Sequence, residues 1–212
     1  MAERHPEIVK AIHQAGHEVA SHGYAHELVS EMTPEEFEAD VQRSVAILEG
    51  IVDTRVAGFR ARSFSINSET SWAFGLLDKL GLMYDSSCYD SEFEQIVAEK
   101  RNAVRFVSEF PVATKQVLGR RVTMMGGIVF RLLPNSILRK ILTNGTGEIP
   151  MIYCHVWEFN KDQPKRKIGV LQRIAQSPVA YTTESRLRYL AKSHKFISMQ
   201  QHVAPLASTV TR

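Results

Sequence analysis

The sequence has little cysteine, no long hydrophobic run and no marked excess of one charge, and each shortage excludes something. Its two cysteines, Cys88 and Cys154, stand far apart and form neither a disulfide framework nor a C-x-x-C pair. Both read as small buried hydrophobes. The longest apolar stretches, such as Ile149 to Val156, are of strand length, far short of the roughly 20 residues a membrane-spanning helix needs. No integral membrane segment is expected. Lysine and arginine number 26 against 23 aspartates and glutamates, a formal charge of +3 that no stretch concentrates. A nucleic-acid partner therefore has no electrostatic footprint. The first residues lack the charged-then-apolar order of a secretory signal, which leaves the compartment open, with the cytoplasm as the default.

What is present is a globular composition, 44% apolar and 23% charged over 212 residues, which suits one domain with a real core. No internal repeat or linker divides the chain. The expectation is a single domain over 1–212.

Local patterns alternate between helix and strand. Pro6 and the stripe Ile8, Val9, Ile12 predict an opening helix that packs on a neighbour and closes at Gly16; His17 to Ser21 reads as a short strand. Thr33-Pro34-Glu35-Glu36 has capping-box spacing and starts a helix to about Leu48, with Phe37, Val41, Ile47 and Leu48 inward. Further strands are expected at Val56–Arg60, Leu82–Asp85, Pro150–His155 and Lys195–Ser198. Helices are expected over Ser68–Leu80, Asn135–Leu142 and Thr183–Ser193. Such alternation argues for parallel α/β architecture. A middle region, about 91–134, departs from it, with extended segments at Val104–Pro111 and Gly119–Phe130.

The strongest chemical signal is Ser21-His22-Gly23-Tyr24-Ala25-His26, at the end of an expected strand. Two imidazoles four residues apart across a glycine turn can offer lone pairs to one point, and neutral histidine is a common ligand of zinc. Three more polar groups close expected strands: Arg60, Asp85 and His155. Each alone reads as a surface cation, a turn cap or a packed histidine. Together they mark the carboxyl edge of the sheet, where functional groups of α/β folds gather.

These residues carry a resemblance. Ser21–His26, Gly58-Phe-Arg-Ala-Arg-Ser-Phe-Ser-Ile66, Tyr84-Asp-Ser-Ser87 and Tyr153-Cys-His-Val-Trp-Glu158, in this order, resemble the polysaccharide deacetylase family, carbohydrate esterase family four. Gly126–Pro134 and Glu109-Phe-Pro111 resemble the insertion of a branch linked to bacterial exopolysaccharide loci. The resemblance implies a distorted, incomplete (β/α) barrel and hydrolysis of acetyl groups from N-acetylated sugars with a divalent metal, usually zinc. His22 and His26 match the family's metal-binding histidines, and His155 its general acid toward the leaving amine. Arg60 matches the arginine that orients the catalytic carboxylate, and Asp85 an aspartate that supports the site. Trp157, Tyr24 and Phe64 are the candidate sugar-contacting aromatics, with core packing an equal alternative for Trp157 and Tyr24.

Departures from the family pattern matter as much. The family opens on a strand ending in an aspartate pair, one the general base and the other the third metal ligand. No such pair occurs in this sequence, so the chain reads as truncated relative to the family and lacking its first strand. Arg62 stands where the family has proline, and Val156 replaces the proline before the tryptophan. The expected activity is thus metal-dependent deacetylation of acetylated polysaccharide or oligosaccharide. The alternatives are an inactive carbohydrate-binding remnant, and a remnant whose open sheet edge pairs two copies. His5, His13 and His17, the Met124–Gly127 turn and Lys165-Arg166-Lys167 are assigned to packing or solvated surface.

Overall fold

The computed structural model describes residues 1–99, 107–117, 119–143, 151–160 and 182–210. In chain order these hold α1 (Pro6–Gln14), α2 (Pro34–Val52), β1 (Gly58–Phe59), α3 (Ala73–Lys79), β2 (Tyr84–Asp85), α4 (Asp90–Glu99) and β3 (Ser108–Glu109). They continue with β4 (Thr114–Val117), β5 (Arg120–Thr123), α5 (Gly127–Leu132), α6 (Asn135–Thr143), α7 (Thr183–Ala191) and α8 (Met199–Val210). Two compact units result, one of residues 1–112 with 197–212, the other of 113–196. The span 91–134, expected as an insertion of extended segments, contains helices α4 and α5 as well as strands and crosses from one unit to the other. Lys165, Arg166 and Lys167 lie outside the described residues, as do Pro150 and 104–106 of the expected extended segments. No helix among the described residues is long and apolar enough to cross a membrane.

The first unit is built on a parallel sheet in the order β1-β2-β3. Segments containing α3 and α4 make the crossovers that parallel pairing demands. Its alternation of strand and helix agrees with the sequence pattern. The strand expected over His17–Ser21 contracts to one parallel bridge, Ser21 to Phe59, secured by Ser21 N–H to Gly58 O at 2.9 Å and Arg60 N–H to Ser21 O at 3.0 Å. Ser21, Phe59, Asp85 and Glu109 consequently form one register row across the sheet. Everything immediately after that row stands at the sheet's carboxyl edge.

Helix α2 covers the sheet. Its capping box forms as the sequence predicts: Glu36 N–H donates to Thr33 Oγ1 at 3.2 Å, and Thr33 N–H to Glu36 Oε2 at 2.8 Å. The helix continues beyond Leu48 to Val52 and ends on Asp53 in the left-handed region. Phe37, Val41 and Leu48 point into the core, while Ile47 is only half-buried. Phe37 meets Phe59 and Trp72 edge-on, with ring centres 5.5 and 5.6 Å away. Helix α1 packs against α2 through Val9 alone of its apolar stripe, leaving Ile8 and Ile12 exposed. Gly16 closes it at φ 84°.

The chain end corrects another expectation. Lys195–Ser198 is not a strand but the lead-in to α8. Gln201 N–H donates to Ser198 Oγ at 3.2 Å and Ser198 N–H to Gln201 Oε1 at 3.1 Å, a reciprocal cap that starts a helix at Met199. The first turn of α8 donates Gln200 N–H to Glu18 Oε2 at 3.0 Å, and Glu18 Oε1 accepts from Tyr84 Oη at 2.6 Å. Val203 is buried beside Tyr84.

In the second unit β4 and β5 form an antiparallel hairpin. The extended run expected to Phe130 stops at Thr123, because Gly127 at φ 58° turns the chain into α5. Gly126 is required for another reason: a Cβ there would lie 2.0 Å from the Tyr153 ring. The strand expected over Pro150–His155 shows, among its described residues, a single bridge from Tyr153 to Gly126. Phe130, Leu138 and Leu190 from three helices form this unit's own core, which anchors α5 as a helix despite its β-branched sequence.

Candidate functional site

The residues that follow the register row carry the chemistry. His22 follows Ser21, Arg60 follows Phe59 and Ser86 follows Asp85, so the fold brings three of the expected segments together at one edge of the first unit. His22 Nδ1 lies 2.5 Å from Arg60 O. A carbonyl can only accept, so Nδ1 carries the hydrogen in this contact. The His26 ring centre is 5.0 Å from that of His22, at 66° between planes.

The loop holding both histidines is tied to α2. Asp40 accepts from Tyr24 N–H at 2.8 Å and from Ala25 N–H at 2.7 Å. Gly23, at φ +75°, is needed beside it, since a Cβ would come 2.8 Å from Asp40 Oδ2. His26 itself takes φ 60°, and Ser63 and Phe64 in the facing loop take 55° and 54°. Non-glycine residues in the left-handed region are costly and tend to cluster at functional sites. Arg62, the departure from the family's proline, donates to His26 O at 3.3 Å and so links the two loops.

Arg60 is half-buried and anchored on Ser86, by Nε to the carbonyl at 3.2 Å and Nη2 to the hydroxyl at 3.0 Å. Its guanidinium is 5.6 Å from the centre of the Phe64 ring, which also leans on Tyr89. Asp85 is fully buried. Burial pushes its carboxyl up to about 6, against the pull of hydrogen bonds and of Arg60. Tyr24 lies on the surface with Arg43 stacked 3.6 Å over its ring and its hydroxyl bonded to Arg43 and Glu3.

His155 and Trp157 belong to the second unit. The exposed His155 ring stacks on Trp157 at 5.7 Å, and its Nδ1 lies 3.2 Å from Glu158 Oε1. Glu158 is buried, yet its carboxyl is held below the ordinary value. Burial alone would raise it, but His155, Thr183 at 2.8 Å and Arg131 at 3.7 Å outweigh that. A carboxylate on Nδ1 fixes the tautomer and leaves Nε2 to exchange a proton with solvent or substrate. Sequence reasoning passed over Asp40, Ser86 and Glu158. Glu158 and Ser86 were visible, inside the motifs that also carry His155 and Asp85; Asp40 had no local signal.

The donors present fit two metal ligands, the imidazoles of His22 and His26. Among the described residues no group of three histidine, cysteine, aspartate or glutamate side chains is arranged to hold a metal ion, whereas catalytic zinc takes three protein ligands and an open position.

Two family models match the chain. Residues 1–83 match the polysaccharide deacetylase family and residues 87–204 match a domain of unknown function, DUF3473. The chain is 33% identical over 85 residues to the peptidoglycan deacetylase-like protein FGM2 of Gibberella zeae, covering 40% of this chain and 24% of that one. It is 33% identical over 91 residues to the peptidoglycan deacetylase of Helicobacter pylori, covering 43% and 30%. It thus spans less than a third of the length of these relatives. Among solved structures, a family-four pseudoenzyme from Bacillus anthracis aligns over 72% of this chain and 40% of its own at 13% identity, TM-score 0.43. A family-four carbohydrate esterase from Streptomyces lividans, in complex with acetate, aligns over 52% and 59% at 19% identity, TM-score 0.36. The chain belongs to the DUF3473 family through residues 87–204 and carries a polysaccharide deacetylase domain match over residues 1–83.

Proposed function

We propose that the chain carries a metal-dependent site for hydrolytic deacetylation of N-acetylated sugars in a polysaccharide. The observation that carries this reading is the imidazole pair, with the His22 and His26 ring centres 5.0 Å apart and His22 Nδ1 committed to Arg60 O. Zinc suits such nitrogen donors. When bound, a divalent metal supplies polarisation of the acetyl carbonyl and a lowered pKa for water. The chain's own groups do the rest. Arg60, braced on Ser86, presents a fixed positive charge beside the pair, and buried Asp85 supports that brace. His155, oriented by Glu158, holds a proton at Nε2 for the departing amine. Trp157, Tyr24 and Phe64 offer aromatic faces to sugar rings. The incomplete, distorted barrel without its first strand and the link to bacterial exopolysaccharide belong to the same proposal.

One observation favours a second reading. The sequence contains no adjacent aspartate pair, and the described residues offer no third ligand. On that reading the chain binds acetylated sugar without turning it over. Zinc content measured together with acetate release separates the two, using an acetylated chito-oligosaccharide and, because the matched relatives are a peptidoglycan deacetylase and a peptidoglycan deacetylase-like protein, a peptidoglycan fragment. One equivalent of zinc with acetate release supports the enzyme; a metal-free, silent chain that still binds sugar supports the second reading. His22→Ala should abolish zinc binding. His155→Ala should keep zinc and lower any turnover by about 10²- to 10⁴-fold.

A further inference from the structure

Two carboxyl groups inside the first unit each have one oxygen left over. Asp85 on β2 and Glu109 on β3 are register partners in a parallel pair, so their side chains leave the same face of adjacent strands, whose backbones run about 4.8 Å apart. Asp85 Oδ1 accepts from Ser87 Oγ at 2.5 Å. Glu109 Oε1 accepts from the backbone N–H groups of Ser87 at 3.1 Å and Cys88 at 2.9 Å. The remaining oxygens, Asp85 Oδ2 and Glu109 Oε2, are both shielded from water, and neither has another hydrogen-bond partner among the described residues. Two ionised carboxylates so placed would repel each other in a medium that screens poorly. A single proton removes the repulsion and satisfies both leftover atoms with one bond.

We propose that Glu109 is a carboxylic acid in the folded protein, donating the proton on Oε2 to Asp85 Oδ2, and that through the bonds to its other oxygen, Oε1, it is a positioning residue for Arg60. The proton belongs on Glu109 because the partners of the pair are unequal. Asp85 faces the Arg60 guanidinium and receives the Ser87 hydroxyl, both of which favour its charge; burial and the charge of Asp85 both push Glu109 well above the ordinary carboxylate value. The other ionisable groups around the pair are Tyr84 on β2, Cys88 beyond it and Glu92 of α4, acting on Cys88. None of them is a cation.

The consequence runs along a chain of bonds. Glu109 fixes the backbone of Ser87 and Cys88, and Ser87 Oγ in turn accepts Ala61 N–H at 2.7 Å. Ser86, held between them, presents its carbonyl and hydroxyl to Arg60 and donates its hydroxyl to Phe110 O at 2.8 Å. A residue from the DUF3473 match thereby sets the arginine of the deacetylase match. The positioning role rests on the deacetylase reading above; the shared proton does not.

Glu109→Gln tests the shared proton in the whole chain, and its melting reads the bonds to Ser87 and Cys88 by which Arg60 is set. Glutamine keeps the shape, a carbonyl for the two N–H groups and an amide donor toward Asp85, but cannot be an acid. Infrared spectra in heavy water at pH 7 should show a carboxylic-acid carbonyl band in the parent protein that Glu109→Gln removes. The Gln variant should melt close to the parent, and Glu109→Leu well below both. Absence of the acid band from the parent, or a Gln variant as unstable as the Leu variant, would overturn the proposal. Neither readout involves acetate release, so a silent assay would count against the deacetylase reading and leave the shared proton standing.

Discussion

Two glutamates with shielded carboxyl groups, one in each unit, show opposite responses to burial. Glu158 sits among donors: the His155 backbone and ring, the Thr183 hydroxyl and the Arg131 guanidinium. Its carboxyl is held low. Glu109 has two backbone donors on one oxygen and a carboxylate neighbour in register, and its carboxyl is driven high. Desolvation raises both; what differs is that hydrogen bonds from His155 and Thr183, with the Arg131 guanidinium behind them, surround one carboxyl, and another acid stands beside the other. The lesson is that a glutamate's charge state in this molecule is set by the groups its carboxyl meets, and the two units use the same residue type for different ends.

The contrast is broken most severely at Glu158. Glu158→Ala removes the carboxylate 3.7 Å from Arg131, whose side chain is 3% exposed, and breaking a buried pair costs roughly 3–5 kcal/mol. Chemical denaturation should show that loss, with hydrogen exchange confining it to the second unit. An unchanged midpoint would mean that Glu158 does not carry the charge ascribed to it.

Next in size is pH, which should move the units in opposite directions. Glu158 has a folded value below the ordinary 4.5, so its contribution is present above that pH and lost as pH falls through the folded value. Asp85 titrates near 6 in the fold against 3.8 when free. Between those values the unfolded chain has released a proton that the folded chain keeps, so stability of the first unit falls as pH rises through this window. Protection factors followed by unit across pH 3 to 8, roughly the span that brackets carboxylate and perturbed values, should diverge accordingly. Parallel curves would erase the distinction.

A smaller effect is expected at Asp40, whose two backbone contacts set the histidine loop. Asp40→Ala should cost about 1–3 kcal/mol for hydrogen bonds to a charged acceptor. It should also weaken zinc binding about 10- to 100-fold, as loss of outer partners does at metal sites. Zinc titration of the variant reads this directly, and full affinity would show that Asp40 does not set the loop.

Which of these features the sequence disclosed depended on how far apart the partners lie. Thr33 with Glu36, and Gly16 after α1, are local signals and were legible, as was the run of strand-terminal residues His22, Arg60 and Asp85. Ser198 with Gln201 is equally local, but the apolar Phe196-Ile197 beside it suggested a strand, and the cap lost to the hydrophobic run. Glu109 was illegible for a different reason. Its meaning comes from the register of β2 against β3, and a single-residue slip would turn it to the other face. Asp40 likewise acts through a loop 15 residues away. Local chemistry was readable; cross-strand chemistry required the fold.

The smallest expected effect concerns Tyr24, where sugar contact and packing stood as alternatives. Its hydroxyl bonds to Arg43 at 2.7 Å and to Glu3 at 3.1 Å on an exposed surface, where such contacts are worth little. Tyr24→Phe should therefore shift stability by less than about 0.5 kcal/mol. The ring is another matter, since Arg43 covers one face and only the other is open to a sugar. If Tyr24 contacts substrate, Tyr24→Phe keeps affinity for an acetylated oligosaccharide and Tyr24→Ala loses it. Equal affinity in both variants assigns the residue to the Arg43 and Glu3 cluster, and the sugar surface of the first unit then reduces to Phe64.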